Sequence, residues 1–169
     1  MVPREELLLR LLAKLSENKQ PVTYTRIQKT VYLLDQFMQE KFGKGTSYSF
    51  DQFLAHSGPH DEELQSCIDT WLMIGLLRDE GSPVVMEKGP SKYFKTHDLR
   101  TTEWGKVYLS NSIAALIQEY WGKNSAQEIE RFFLKLNNEP ENALMREASE
   151  AWARKHPEKK VGIFVKSFP

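Results

Sequence analysis

Residues 61–97 read DEELQSCIDTWLMIGLLRDEGSPVVMEKGPSKYFKTH. The first half has helical spacing: Leu64, Ile68, Trp71 or Leu72, and Leu76 fall on one stripe as far as about residue 77. Asp61, Glu62 and Glu63 fill its first turn, where carboxylates complement the helix dipole. The second half, from residue 82, has the composition of a hairpin. Val84-Val85-Met86 and Tyr93-Phe94-Lys95 are β-prone runs on either side of Gly89-Pro90. A helix followed by a hairpin is the closing half of a winged-helix unit, so the fold turns on what stands before and after it.

Two helices are expected upstream. Leu7, Leu8, Leu11, Leu12 and Leu15 mark an amphipathic helix over residues 4–17, ended by SENKQP and its proline. In VTYTRIQKTVYLLDQFMQEKF, residues 22–42, Thr25 followed by Gln28 fits a capping box. Ile27, Val31, Leu34 and Met38 share one face, so the spacing predicts a helix from about 26 to 42, closed by Gly43 and Gly45. TSYSFDQFLA, residues 46–55, is either a short extended segment or an irregular approach to the next helix, and Gly58-Pro59 reads as a turn.

Downstream, RTTEWGKVYL leads into a helix from about 102 to 121, closed by Gly122. Ser125 and Glu128 form another capping box, opening a helix to Leu136 with Ile129, Phe132, Phe133 and Leu136 as its core face. NNEPEN is a linker, residues 142–155 form a last helix, and the apolar tail VGIFV either docks on the body or meets a partner. The expectation is a mainly α protein with a small β-hairpin. A winged-helix-like core spans residues 1–122, and a helical extension and tail over 123–169 pack on it as one domain.

Composition limits the function classes. Among 169 residues, 23 Lys and Arg balance 23 Asp and Glu, so no overall field draws the chain to nucleic acid. No apolar run approaches the roughly 18 residues of a membrane span. The start, MVPREELLLRLLAKL, has acids before its leucines and no small-residue cleavage site, which points to a cytoplasmic protein. Cys67 is the sole cysteine and lies in an apolar helical pattern, where a buried inert thiol is expected.

Chemistry-bearing motifs are weak. His56 and His60 in HSGPH are four apart, but Gly58-Pro59 between them prevents a shared helical face, so no metal site is expected. No Gly-x-Ser-x-Gly elbow and no phosphate-cradling glycine loop occurs. Neither catalysis nor a cofactor is expected. Nucleic-acid binding is the serious alternative: Lys88, Lys92, Lys95, Arg100 and Lys106 surround the hairpin and could grip phosphates. Yet Glu87, Asp98 and Glu103 dilute that patch, and the helix that would enter the major groove begins His60-Asp61-Glu62-Glu63. The same acids suit a basic protein partner, with His60, Asp61 and Glu62 presented at the surface and Lys29 solvated. Trp71 and Trp104 are expected in the core, whereas Trp152 fits either core or interface.

Two blocks together resemble the Panacea-domain family. RIQKTVYLLDQF looks like its Leu-Gln-Lys-Leu-Leu-Tyr-Leu helix, and YSFDQFLAHSGPHDEELQSCIDTWLMIGLL looks like its downstream signature. Matching positions are Gln28, Lys29, Tyr32, Gly58, Pro59, Glu63, Leu64, Gly75 and Leu76, over roughly residues 5–110. Ser57, preceded by His56, stands where the family usually has an aromatic. The resemblance implies an antitoxin-like neutraliser or adaptor that binds a toxin or client protein directly. It also implies that the Gln28-Lys29 pair can face the Gly-Pro segment and hold it. The other reading is a winged-helix DNA-binding regulator, a homodimer through its C-terminal helices.

Overall fold

The computed structural model describes residues 3–81, 83–85, 93–95, 97–103 and 113–159. The protein is mainly helical, with small antiparallel two-stranded sheets. Helix α1 spans Arg4–Ser16 and buries Leu7, Leu8, Leu11, Leu12 and Leu15, the stripe its leucine spacing predicts. Helix α2 spans Tyr24–Phe42 and starts earlier than expected. Its cap is Thr23, whose hydroxyl accepts from the Arg26 amide at 3.0 Å. The Thr25–Gln28 capping box does not form, because Gln28 is engaged 33 residues downstream. Gly43, at φ +68°, closes α2 with its N–H on the Gln39 carbonyl.

The segment after α2 is pinned by a buried carboxylate. Asp35 accepts from the Thr46 amide at 2.5 Å, the Thr46 hydroxyl at 2.7 Å and Gln39 Nε2 at 2.6 Å. Strands β1 (Gln52–Leu54) and β2 (Gly58–His60) then form an antiparallel ribbon with Phe53 opposite Pro59. This corrects the expected Gly58-Pro59 turn: the turn is Ala55–Ser57, and Gly-Pro is itself the second strand. Proline has no N–H to give a ladder, and the edge of a two-stranded ribbon is where a strand tolerates it.

Helix α3 spans Glu62–Met73, ending before the expected residue 77. Ile74 and Gly75, the latter at φ +82°, break it, and Leu77 already belongs to β3. Strand β3 (Leu77–Asp79) pairs with β6 (Leu99–Thr101), and β4 (Pro83–Val85) pairs with β5 (Tyr93–Lys95). The observed order is thus helix, helix, ribbon, helix, ribbons: the β1–β2 ribbon interrupts the expected run of three helices, because residues 52–54 and 58–60 pair as strands instead of forming a turn.

Three more helices follow among the described residues: α4 (Ile113–Trp121), α5 (Lys123–Asn137) and α6 (Glu141–Lys155). Gly122, at φ +91°, separates α4 from α5. The Ser125–Glu128 capping box is not formed either, because α5 begins at Lys123 and leaves Ser125 inside its first turn. Ile129, Phe133 and Leu136 are buried, while Phe132 stacks on Phe37 with centroids 4.2 Å apart. Helix α6 packs across α2 and β2. Its Trp152 is fully buried and donates Nε1–H to the Phe50 carbonyl at 2.9 Å, so this tryptophan belongs to the core. Trp71 is half-buried against the same core. Trp104, Lys106 and the VGIFV tail lie outside the described residues.

Candidate functional site

Where α2, β2 and the start of α3 meet, polar side chains turn inward on one another. Gln28 and Lys29 are buried on α2, even though an isolated helix would solvate both. Gln28 Nε2 donates to the Asp61 carbonyl at 2.9 Å, and its Oε1 accepts from the Asp61 amide at 3.0 Å. Lys29 Nζ donates to the Pro59 carbonyl at 2.6 Å. The Pro59 carbonyl belongs to β2, which has no further strand beside it among the described residues, and Asp61 follows β2 directly, so the two side chains supply partners along that open edge.

Asp61 completes the corner. One carboxylate oxygen caps α3 by accepting from the Leu64 amide at 2.8 Å. The other accepts from the amides of Ser49 and Phe50, at 2.9 and 3.2 Å, and from the Ser49 hydroxyl. Gly58 adopts φ +91°, and a Cβ there would collide with Ser149 Oγ on α6 while standing 3.6 Å from Lys29 Cε. The Ser149 hydroxyl is fully buried, with no hydrogen-bond partner among the described residues.

Burial governs the titration of this corner. Desolvation pushes the Lys29 ammonium down to about 7, against a smaller opposing pull from Glu141. His60, half-buried, is also lowered, first by desolvation and then by the nearby Lys29 charge. Asp35 is raised by burial in spite of the Thr46 hydrogen bonds.

These facts revise the partner-binding set. Glu62 is exposed and His60 half-buried, but Asp61 and Lys29 face inward and cannot meet a partner. The reason is accounting of polar groups: four donors converge on the Asp61 carboxylate, and the Lys29 ammonium donates to the Pro59 carbonyl. The remaining motif positions are structural. Tyr32 and Leu64 are buried, Pro59 is buried in β2, and Gly75 ends α3 in a left-handed conformation. Arg100, expected on a DNA surface, is a clamp instead. Its guanidinium donates to the carbonyls of Ser16, Asn18 and Gln20 at 2.6–3.0 Å and to the Asp98 carboxylate. Lys88 and Lys92 lie outside the described residues, as does the side chain of Lys95.

What remains outward is one face of α3. Glu62, Glu63, Ser66, Asp69, Thr70 and Met73 are exposed, with Met73 85% and the adjoining Ile74 49% accessible. Cys67 is turned toward the core, its thiol pushed up to about 11 by burial. Among the described residues, no group of three His, Cys, Asp or Glu could hold a metal ion, and no helix is long and apolar enough to cross a membrane. A cavity of about 10 Å³ under Tyr48, lined by Leu8, Leu11, Val31 and Leu34, has room for one water.

Ser149 and Asp35 escaped sequence reasoning, which also left Trp152 open between core and interface. Each acts on a residue far along the chain or on an irregular loop, so no local spacing announces it. No family model, curated protein or solved structure matches the chain.

Proposed function

We propose that the chain is a non-catalytic protein-binding module, an antitoxin-like neutraliser or adaptor that works by direct contact with another protein. The observation that carries this reading is the exposed face of α3, where Met73 and Ile74 stand in solvent one turn beyond Asp69, with Glu62 and Glu63 at the other end of the same face. Apolar side chains left in water next to fixed charge suit a protein interface. The Gln28–Asp61 and Lys29–Pro59 bonds fix where α3 begins, so the face is presented on a rigid base. The Panacea resemblance agrees with it. Co-purification from the native host tests the proposal. A stoichiometric partner is expected, and a chain recovered alone on repetition argues against it.

The winged-helix DNA-binding regulator is the second reading, supported by the antiparallel strand pairs that follow α3 directly. Against it, α3 would bring three carboxylates to the phosphates. A shift assay at varied salt discriminates: DNA affinity that falls steeply as salt rises favours the regulator, and no binding at low salt removes it.

A further inference from the structure

The exposed residues of α3 form two adjacent stripes. Glu62, Ser66, Asp69 and Met73 follow one another at helical spacing, and Glu63, Thr70 and Ile74 run beside them. Each stripe carries a carboxylate at its N-terminal end, a small hydroxyl side chain in the middle and a large apolar side chain at its C-terminal end, and the first also carries Asp69 one turn before Met73. The acids are held in position while remaining accessible. Glu63 pairs with Arg4 at 2.6 Å, Glu62 accepts from Gln52 at 2.9 Å, and Asp69 accepts from the Tyr24 hydroxyl at 3.1 Å.

Resting on the protein-binding reading, we infer that this face seats one cationic amphipathic helix of a partner protein, antiparallel to α3. Charge complementarity selects the occupant: the acidic end repels nucleic acid and anionic lipid and attracts Lys or Arg. Ser66 and Thr70 leave room for a second helix to approach between the two ends. The antiparallel sense follows from the dipoles. A partner helix with Lys or Arg in its last turn places that turn over Glu62 and Glu63, where its own C-terminal carbonyls also meet the positive end of α3. Its first turn then brings a large apolar side chain to Met73 and Ile74. The two contacts are about 16 Å apart, the length of eleven helical residues.

The test is an NMR titration of the intact chain with a synthetic helical peptide of about 14 residues, four turns. It carries Leu and Phe in the first turn, Ala and Ser between, and Lys and Arg in the last turn. Controls are the same peptide in reversed order and a version with Glu in place of its Lys and Arg. Amide shifts confined to α3 and Ile74–Gly75 are expected. So is a loss of affinity of about tenfold in the variant E62K/E63K and in Met73→Asp, with weaker binding of both controls. Thermal melts of the variants verify that they fold. Shifts elsewhere, or equal affinity for wild type and the α3 variants, overturn the seat. A partner captured from the native host that binds wild type and both α3 variants alike also overturns it, while leaving the protein-binding reading intact.

Discussion

Gln28 and Asp61 exchange two hydrogen bonds across 33 residues, the amide of one side chain matching the N–H and C=O of the other's backbone. A carboxamide is a peptide group on a stem, so Gln28 pairs with Asp61, the residue between β2 and α3, as a neighbouring strand would. Gln28→Ala removes the acceptor of the buried Asp61 N–H and one of two donors to its carbonyl, which still accepts from the Gln65 amide, and is expected to cost about 1–3 kcal/mol. Gln28→Glu sets an acceptor against the Asp61 carbonyl and should cost at least as much at neutral pH. Urea unfolding with an unchanged m-value measures both, and a loss below about 1 kcal/mol for Gln28→Ala refutes the role.

Lys29 makes stability depend on pH. Unfolded, the ammonium titrates at 10.5, and folded at about 7. Between these values the unfolded chain holds the proton and the fold does not, so stability rises with pH. Below about 7 both states hold it, and this group contributes no slope. Relative to Lys29→Met, the wild type should gain on the order of 1 kcal/mol per pH unit from about pH 7 to 9. Cys67, raised from 9.0 to about 11, adds the opposite slope to each curve above its unfolded value, and the difference between the two proteins removes it. Parallel stability curves for the two proteins would contradict the burial of the amine.

Gly58 and Ser149 are coupled. Gly58→Ala meets both a left-handed φ and the Ser149 hydroxyl, and is expected to cost about 2–4 kcal/mol. Ser149→Ala deletes a hydroxyl with no hydrogen-bond partner among the described residues and should change stability by less than about 0.5 kcal/mol, or raise it. The double variant should recover about 1–2 kcal/mol of the glycine substitution, because the collision is relieved and the φ strain is not. A double-mutant cycle of thermal or denaturant unfolding reads that coupling, and additive effects would disprove the contact.

Arg100 tests the DNA reading from the stability side. Its guanidinium reaches three carbonyls of the α1–α2 connection and the Asp98 carboxylate, which also accepts from the Val22 amide. Lysine cannot copy that fork, so Arg100→Lys should cost about 2–3 kcal/mol with no nucleic acid present. Wild-type melting behaviour combined with weakened DNA binding would return Arg100 to a phosphate surface.

The legible part of this fold is the part written in short periods. The α1 leucines, the α2 stripe at Ile27, Val31, Leu34 and Met38, and the Ile129–Phe133–Leu136 face of α5 all declare themselves within a few turns. Failures occur where a residue has two local uses and distance decides. Thr25 and Gln28 fit a capping box on paper, but Thr23 caps α2 and Gln28 binds Asp61 rather than a helix start. Gly58-Pro59 has turn chemistry, yet the ladder to Gln52–Leu54 makes it a strand, and the closeness of Ser149 leaves no room there for a Cβ. Lys29 looks solvated until the Pro59 carbonyl needs a donor. The acidic start of α3 was visible, but that Asp61 would turn inward while Glu62 and Glu63 stayed out depends on the loop at Ser49 and Phe50 folding back over it.

The bond from Trp152 to the Phe50 carbonyl governs how deletion experiments on this protein must be interpreted. A fragment stopping at Gly122 would retain every residue of the α3 face and still lose the indole that braces the loop wrapped around Asp61. Failure of such a fragment to engage a target would therefore report a sprung hinge at the root of α3, and single substitutions on the helix surface are the sounder way to map contact.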